Sequence, residues 1–452
     1  MAKKDTKKKV GSFEIPEGGI TDSFKQLGTG RTIVLGLQHT FAMFGATVLV
    51  PILTGLNIST TLLMAGVGTL LFHLITKGKV PAFLGSSFAF LGGYATVKGM
   101  APEGVTEAQM LPYACLGVAV AGLLYVILAA LFKIFGANRV MKFFPPIVIG
   151  PIIIAIGLIL SPSAINNCSQ NWILAVIALF VIIACNIWGK GMVKIVPIII
   201  GIVASYIVAV CMGEVDFTAV KEAAWVGLPI YKDALITNAF KDGNLALTSI
   251  IAIVPIAIAT MMEHIGDISA IGATTGKNFI ADHGLHRTLI GDGIATTLAS
   301  CFGGPANTTY GENTGVLALT KVYDPRVVRI AAIFAIVLSF SPKFSAVIST
   351  IPTAIIGGVS LMLYGMISAI GVRNIVENQV DFTKTRNVII AAIILVTSLG
   401  IQFSEAGGIT FTIGSATITL TGLAVAAILG IIVNAILPGN DYKFVKEETS
   451  DK

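Results

Sequence analysis

From Ile33 onward the chain reads as long apolar runs separated by short polar breaks. The runs cover Ile33–Leu53, Thr60–Thr76, Val80–Val97, Leu111–Phe132, Phe143–Leu160, Trp172–Ile187 and Ile195–Met212. After a polar interval from Gly213 to Asn244 they resume at Ala246–Asp267, Arg287–Phe302, Pro305–Thr320, Val327–Phe340, Ala346–Ile370, Val388–Ile401 and Ile418–Leu437. Apolar stretches of roughly 17 or more residues are what a bilayer-crossing helix requires. The pattern predicts an all-α polytopic membrane protein with seven plus seven spans, although hydropathy alone fits 12 or 13.

Two runs depart from helical patterning. GSSFAF (Gly85–Phe90) and NTTYGEN (Asn307–Asn313) lack a helix-like polar face, are rich in Ser, Thr, Phe and Tyr, and are flanked by Pro and Gly. Such residues favour extended backbone. Each stretch is expected to be a short extended segment followed by a half helix starting near Phe88 or Gly311. Non-helical backbone survives at membrane depth only inside protein or against a polar cavity. Two such segments can satisfy each other by pairing, leaving their half-helix N-termini to point free N–H groups into a shared pocket.

An internal echo supports this. Pro81-Ala82 before Ser86-Ser87-Phe88 resembles Pro305-Ala306 before Thr308-Thr309-Tyr310, and PPIVIG (Pro145–Gly150) resembles PTAIIG (Pro352–Gly357). With seven spans per half, the halves must be inverted relative to each other.

Composition agrees, with 55% hydrophobic and 12% charged residues against about 25% charged in soluble domains. The net charge of +6 needs no nucleic-acid partner. With the N-terminus inside, only Lys98, Lys221, Lys232, Lys241 and Lys343 fall outside, leaving 25 of 30 Lys and Arg on the inner face. That bias favours an even span count with both termini cytoplasmic. The basic N-terminus has no apolar signal-peptide core. Five cysteines without a CxxC pair read as small buried apolar residues, not as a metal or disulfide framework.

Ionisable residues within spans are costly and point to function. Glu263 and Asp267 lie at i and i+4 near the end of the eighth run, Glu312 at the break in the tenth, His39 in the first, His73 in the second and Asp292 in the ninth. Each glutamate can alternatively cap backbone N–H groups, Asp267 can lie at the inner water interface, and the two histidines can be packed structural residues. Asp292 reads as a brace between helices. Two carboxylates in one dry cavity suit a neutral planar ligand with alternating N–H and C=O groups, and they tie binding to a proton. An anionic ligand would call for Arg or Lys near mid-span, and no run carries one there. GATTGK (Gly272–Lys277) is one residue short of a P-loop and is followed by Asn278, His283 and His286 lack metal-binding partners, and Asn307-Thr308-Thr309 falls inside a span where glycosylation has no meaning. No nucleophile–base set suggests an enzyme, and a channel would not need two titratable acids at a closed site.

QHTFAMFGATVLVP (Gln38–Pro51), KVPAFLGSSFAF (Lys79–Phe90), EHIGD (Glu263–Asp267), NTTYGENTGV (Asn307–Val316) and GGVSLMLYG (Gly357–Gly365) resemble the nucleobase–ascorbate transporter family, in particular its bacterial uracil permeases. ENTGVLALTK (Glu312–Lys321) also fits that family's signature. The resemblance implies a 14-span fold of two inverted seven-span repeats. Its core domain would comprise residues 31–135 (spans 1–4) and 246–344 (spans 8–11), and its gate residues 136–213 (spans 5–7) and 345–438 (spans 12–14). Cytoplasmic tails (1–30, 439–452) and an outer loop (214–245) complete the chain.

It further implies secondary active uptake of uracil with a proton across the bacterial inner membrane, by movement of the core against the gate. Glu263 and Glu312 would hydrogen-bond the pyrimidine edge, backbone amides of Phe88 and Gly311 would meet its carbonyls, Tyr364 would close beside it, and Ser87 and His39 would give polar support. Glu263, Asp267, Glu312 and His39 are the proton-coupling candidates. Asp267 departs from the His that some close relatives carry at the end of EHxGH. Glu at 312, where purine-selective relatives commonly have Gln, favours uracil over xanthine or urate. No cofactor or metal is implied beyond the coupling proton; the partners are the nucleobase, membrane lipid and, left open, a second copy.

Overall fold

A computed structural model of the chain describes residues 15–280, 284–413, 416–440 and 442. The first half contains α1 (Thr29–Thr54), α2 (Ile58–Ile75), strand β1 (Leu84–Ser86), α3 (Leu91–Gly99), α4 (Glu107–Phe135), α5 (Pro146–Cys168), α6 (Trp172–Trp188) and α7 (Pro197–Cys211). The second contains α8 (Gly243–Ile253), α9 (Ile256–Thr275), α10 (Leu285–Cys301), strand β2 (Asn307–Thr309), α11 (Gly311–Thr320), α12 (Pro325–Ser339), α13 (Pro342–Ser349), α14 (Thr353–Glu377), α15 (Thr385–Gln402) and α16 (Gly422–Ile436). A hairpin, β3 (Ile409–Ile413) and β4 (Ala416–Leu420), lies between α15 and α16.

Six of these helices (α1, α2, α4, α5, α14 and α15) are long and apolar enough to cross a membrane. Two bent pairs, α8–α9 at 41° and α12–α13 at 88°, bring that number up to eight, and α6, α7 and α16 are shorter apolar helices. The chain is therefore a multi-pass membrane protein.

Local chemistry sets the boundaries. Gly55, at φ +84°, ends α1 in the left-handed region, and the Asn57 side chain then caps α2 by accepting from Thr60 N at 3.0 Å. Thr106 and Gln109 form a capping box at the start of α4. Pro145 and Pro352 occupy the N-cap positions of α5 and α14, so each PxxxIG stretch opens a helix. These two helices pack extensively against each other, and small residues allow it: a Cβ on Gly157 would sit 2.2 Å from the Tyr364 carbonyl oxygen. In the other group, α4 packs on α10 and α12 on α2.

The two extended segments form as expected and pair antiparallel, with Leu84 opposite Thr309, Gly85 opposite Thr308 and Ser86 opposite Asn307. Side chains satisfy the remaining backbone groups. Thr69 Oγ1 donates to Leu84 O (3.2 Å), Thr296 Oγ1 donates to Asn307 O (2.9 Å), and Ser86 Oγ donates to Thr47 O (2.9 Å). The Tyr310 hydroxyl donates to Ser86 O at 3.0 Å, tying the two strands together.

Four expectations need correction. The eighth helix does not close at Asp267. It continues to Thr275, where Gly276 at φ +66° caps it, because the small and apolar residues after Asp267 carry no breaker. GATTGK is thus a helix end rather than a loop. The half helix after β1 starts at Leu91 instead of Phe88, since Phe88–Phe90 form a turn with Leu91 N donating to Phe88 O. Ala346–Ser349 belong to α13, separated from α14 by the break at Pro352. Finally, Ile418–Leu420 belong to strand β4. ITFTI and ATITL show a period-two alternation that the apolar content had hidden.

Candidate substrate-binding cavity

Strands β1 and β2 end at a cavity of about 400 Å³, within the size range of small-molecule sites. Glu263 and Asp267 reach it from α9, Thr308 to Glu312 from the end of β2 and start of α11, and Phe88 from the turn after β1. Phe41 of α1 and Ile153, Met366 and Ile370 of α5 and α14 form apolar walls. Lys194 and Arg373 stand among the lining residues as well. A second hollow of about 110 Å³ shares Asp267, Gly311 and Arg373 with it and extends past Asn374 to Glu377. Arg373 Nε donates to Glu377 there at 2.6 Å.

The start of α11 shapes the polar wall. Tyr310 is the N-cap residue, in extended conformation, and offers no side-chain cap. The first N–H groups of a helix have no intrahelical acceptor, so Gly311 and Glu312 bring backbone donors and the positive end of the helix dipole to the cavity wall. A Cβ on Gly311 would lie 3.0 Å from Ile370 Cδ1, so glycine keeps this end uncovered where α14 passes. Glu263 is partly open to the cavity and its Oε2 has no hydrogen-bond partner. The three acids differ in their ties: Asp267 is 6% exposed and its Oδ2 accepts from Thr309 Oγ1 at 2.8 Å. Asp267 is therefore fastened to β2.

The other expected site residues lie just outside the lining. His39 is buried, and the Asn313 side-chain amide donates both to its Nδ1 (3.0 Å) and to its carbonyl (3.1 Å). His39 thus holds the residue next to Glu312. Ser87 is buried beside the strand, its N–H donating to Ala306 O at 2.8 Å. The Tyr364 ring meets that of Phe88 edge-on at 5.8 Å and reaches the cavity only through it. His73 Nε2 pairs with Ala82 O at 2.8 Å, which is the packed structural reading. Asp292 braces α10 to α9, its Oδ2 lying 3.0 Å from His264 Nδ1.

Sequence reasoning missed Thr309, Tyr310 and Asn313 as fasteners, and Arg373 at the cavity's edge. The first three lie inside the NTTYGEN stretch and carried the signal in their hydroxyl and amide groups. Their partners, more than forty residues away in sequence, are visible only in the fold. Of the decoys, His286 sits at the start of α10, and His283 lies outside the described residues.

Broken spans that pair beside a cavity lined by three carboxylates define the class: a membrane transporter for a small solute. Residues 30–407 match the Permease family (Xan_ur_permease), and the chain belongs to that family. It is 41% identical to the uracil permease of Bacillus caldolyticus over 419 residues, covering 91% of this chain and 93% of that protein. It is 40% identical to the uracil permease of Bacillus subtilis (93% and 94% covered) and 38% identical to the putative pyrimidine permease RutG of Escherichia coli (93% and 92%). Among solved structures, the transmembrane domain of the cyanobacterial bicarbonate transporter BicA shares the fold, with a TM-score of 0.62 over 92% of this chain and 99% of that one at 13% identity. SLC26A9 gives a TM-score of 0.60 over 89% of this chain and 64% of its own, also at 13%. The chain is a transporter, not an enzyme.

Proposed function

We propose that the protein imports uracil together with a proton across the bacterial inner membrane by alternating access. One observation carries this reading: Glu263, Glu312 and the first backbone amides of α11 converge on a single cavity. Carboxylates accept from the ring N–H groups, and backbone amides donate to the ring carbonyls. Glu312 occupies the first turn of a helix whose dipole would otherwise favour an anion, and a second carboxylate faces it. That arrangement argues against an anionic substrate despite the fold shared with a bicarbonate transporter. Relatives named uracil and pyrimidine permeases support the pyrimidine choice.

In this reading the fold is 14 spans in two inverted repeats, supported by the paired broken spans and the repeated PxxxIG helix starts. The α1–α4 and α8–α13 segments form the core and α5–α7 with α14–α16 the gate, so the cavity lies between them. Its lining includes Lys194 and Arg373, two of the cations assigned to the inner side, which supports an inward-open reading with both termini cytoplasmic.

The test is uptake of labelled uracil into proteoliposomes under an imposed proton gradient, with a thermal-shift panel of uracil, thymine, xanthine, hypoxanthine and sulfate. Uracil is expected to give the largest shift and gradient-driven accumulation. A shift with xanthine and none with uracil would overturn the substrate choice. Accumulation indifferent to the proton gradient would overturn the coupling.

A further inference from the structure

The inner end of α11 is fastened by a segment that the transport site itself does not use. Residues Glu17–Phe24 run along the turn between α11 and α12. Ile20 N donates to Lys321 O at 2.8 Å and Tyr323 N donates to Ile20 O at 2.7 Å. Ser23 is fully buried, and both its N–H (2.8 Å) and its hydroxyl (2.7 Å) donate to Asp324 Oδ2. Asp324 Oδ1 meanwhile caps α12 by accepting from Arg326 N at 3.0 Å. The Arg326 guanidinium pairs with both Asp324 and Asp22 and lies over the Phe24 ring at 5.1 Å. Lys321 Nζ donates to Glu17 O at 3.2 Å.

Backbone conformation at the junction points the same way. Lys321, which ends α11, sits in the left-handed region at φ +55°. A non-glycine residue there is strained and persists only where its surroundings over-determine it. The pairing of Ile20 with the residues on either side of Val322 supplies that constraint. The segment then passes through the short helix Ser23–Gln26 directly into α1. Helix α11 is thus tied to α1 twice, at its cavity end through Asn313–His39 and at its inner end through this strap.

We infer that Glu17–Phe24 is a strap that positions α11, and that Ile20, Ser23, Asp324 and Arg326 are positioning residues for the ligand contacts of Gly311 and Glu312. A helix of only 10 residues, entered from a three-residue strand, has few other ties. Loosening its inner end lets it tilt, and the tilt appears at Glu312. The functional part of this inference rests on the transport reading; the mechanical part does not.

The test uses the full chain with Ile20→Pro, which removes the N–H donated to Lys321 O, and Ser23→Ala, with Ser23→Thr as the conservative rescue and Lys25→Ala as the control. Removing one or two such hydrogen bonds is expected to raise the uracil Kd and transport KM about fivefold or more, with Ser23→Thr close to wild type and Lys25→Ala unchanged. Hydrogen exchange of the Val316–Thr320 amides should accelerate in the first two variants without any ligand present. If exchange accelerates while wild type binds no nucleobase, the strap stands and the transport reading falls. Unchanged exchange, or faster exchange with Kd within about twofold of wild type in a protein that does bind uracil, overturns the strap as a positioning element.

Discussion

The two broken spans begin alike and end differently. Each supplies three residues to one antiparallel pair, yet β2 passes through Tyr310 alone into α11, whereas four residues separate β1 from α3. The direct junction delivers the first N–H groups of α11 and a carboxylate to the cavity together. The longer junction delivers the Phe88 ring, backed by Tyr364. One half of the strand pair leads into a polar wall of the cavity and the other into an aromatic one. The difference teaches that two breaks paired in one sheet need not share chemistry, and that the length of the strand-to-helix turn decides which of them brings N–H groups and a carboxylate to the cavity.

The largest expected effect tests the polar half. Glu312→Gln and Glu263→Gln should each abolish proton-driven uracil uptake. The lost hydrogen bonds to charged groups are worth about 1.5–3 kcal/mol each, so uracil Kd by calorimetry should rise at least about tenfold. Normal uptake in either variant would sink the site assignment.

Next comes Gly85, the glycine of the strand pair. A Cβ on Gly85 would lie 2.3 Å from the Tyr310 ring, so Gly85→Ala must displace the ring that bonds to Ser86 O. Overpacking of this kind costs about 1–3 kcal/mol, seen as a lower melting temperature in detergent. Gly92, within α3, has open space, and Gly92→Ala should hold or raise that temperature. Equal losses at both positions would mean that Tyr310 is not the fastener described.

A smaller effect separates adjacent threonines. Thr309 bonds Asp267, while the Thr308 hydroxyl is buried without a partner. Thr309→Val should cost about 1 kcal/mol of stability and Thr308→Val less, because only the first leaves an acceptor unpaired.

Much of this contrast was legible in the chain. The Ser, Thr, Tyr and Gly content of GSSFAF and NTTYGEN marked both breaks, because membrane-depth backbone without helical patterning has few alternatives. Glu263 and Glu312 stood out because a charge in an apolar run is costly. What escaped was set by tertiary contacts. Nothing local distinguishes Asp267 at a water interface from Asp267 bonded to Thr309, or Tyr364 at a cavity wall from Tyr364 behind Phe88. The α9 end and the β3–β4 hairpin were obscured for another reason: where nearly every residue is apolar, boundaries are set by single glycines and by alternation too short to dominate a hydropathy window.

The last prediction concerns pH and separates the strap from the cavity. Asp22 is held below its usual value chiefly by the hydrogen bond from Arg326, with Lys25 also facing it at 3.7 Å. Burial alone would push Asp324 up, but hydrogen bonds from Arg326 and Ser23 outweigh it and hold that carboxyl low as well. A carboxylate whose folded value is depressed contributes stability that is complete above its unfolded value of about 3.9 and is lost only as pH falls through the lower folded value. The strap is therefore fully charged and fully formed at every pH from 5 to 8. Ile20→Pro, which leaves both carboxylates their Arg326 partner, should raise the transport KM by the same factor throughout that window, displacing the KM-against-pH curve without changing its shape. Any titration of uptake between pH 5 and 8 then belongs to groups outside the strap, the cavity acids and His39 among them. A curve whose shape changed in Ile20→Pro would instead make the strap part of the proton response.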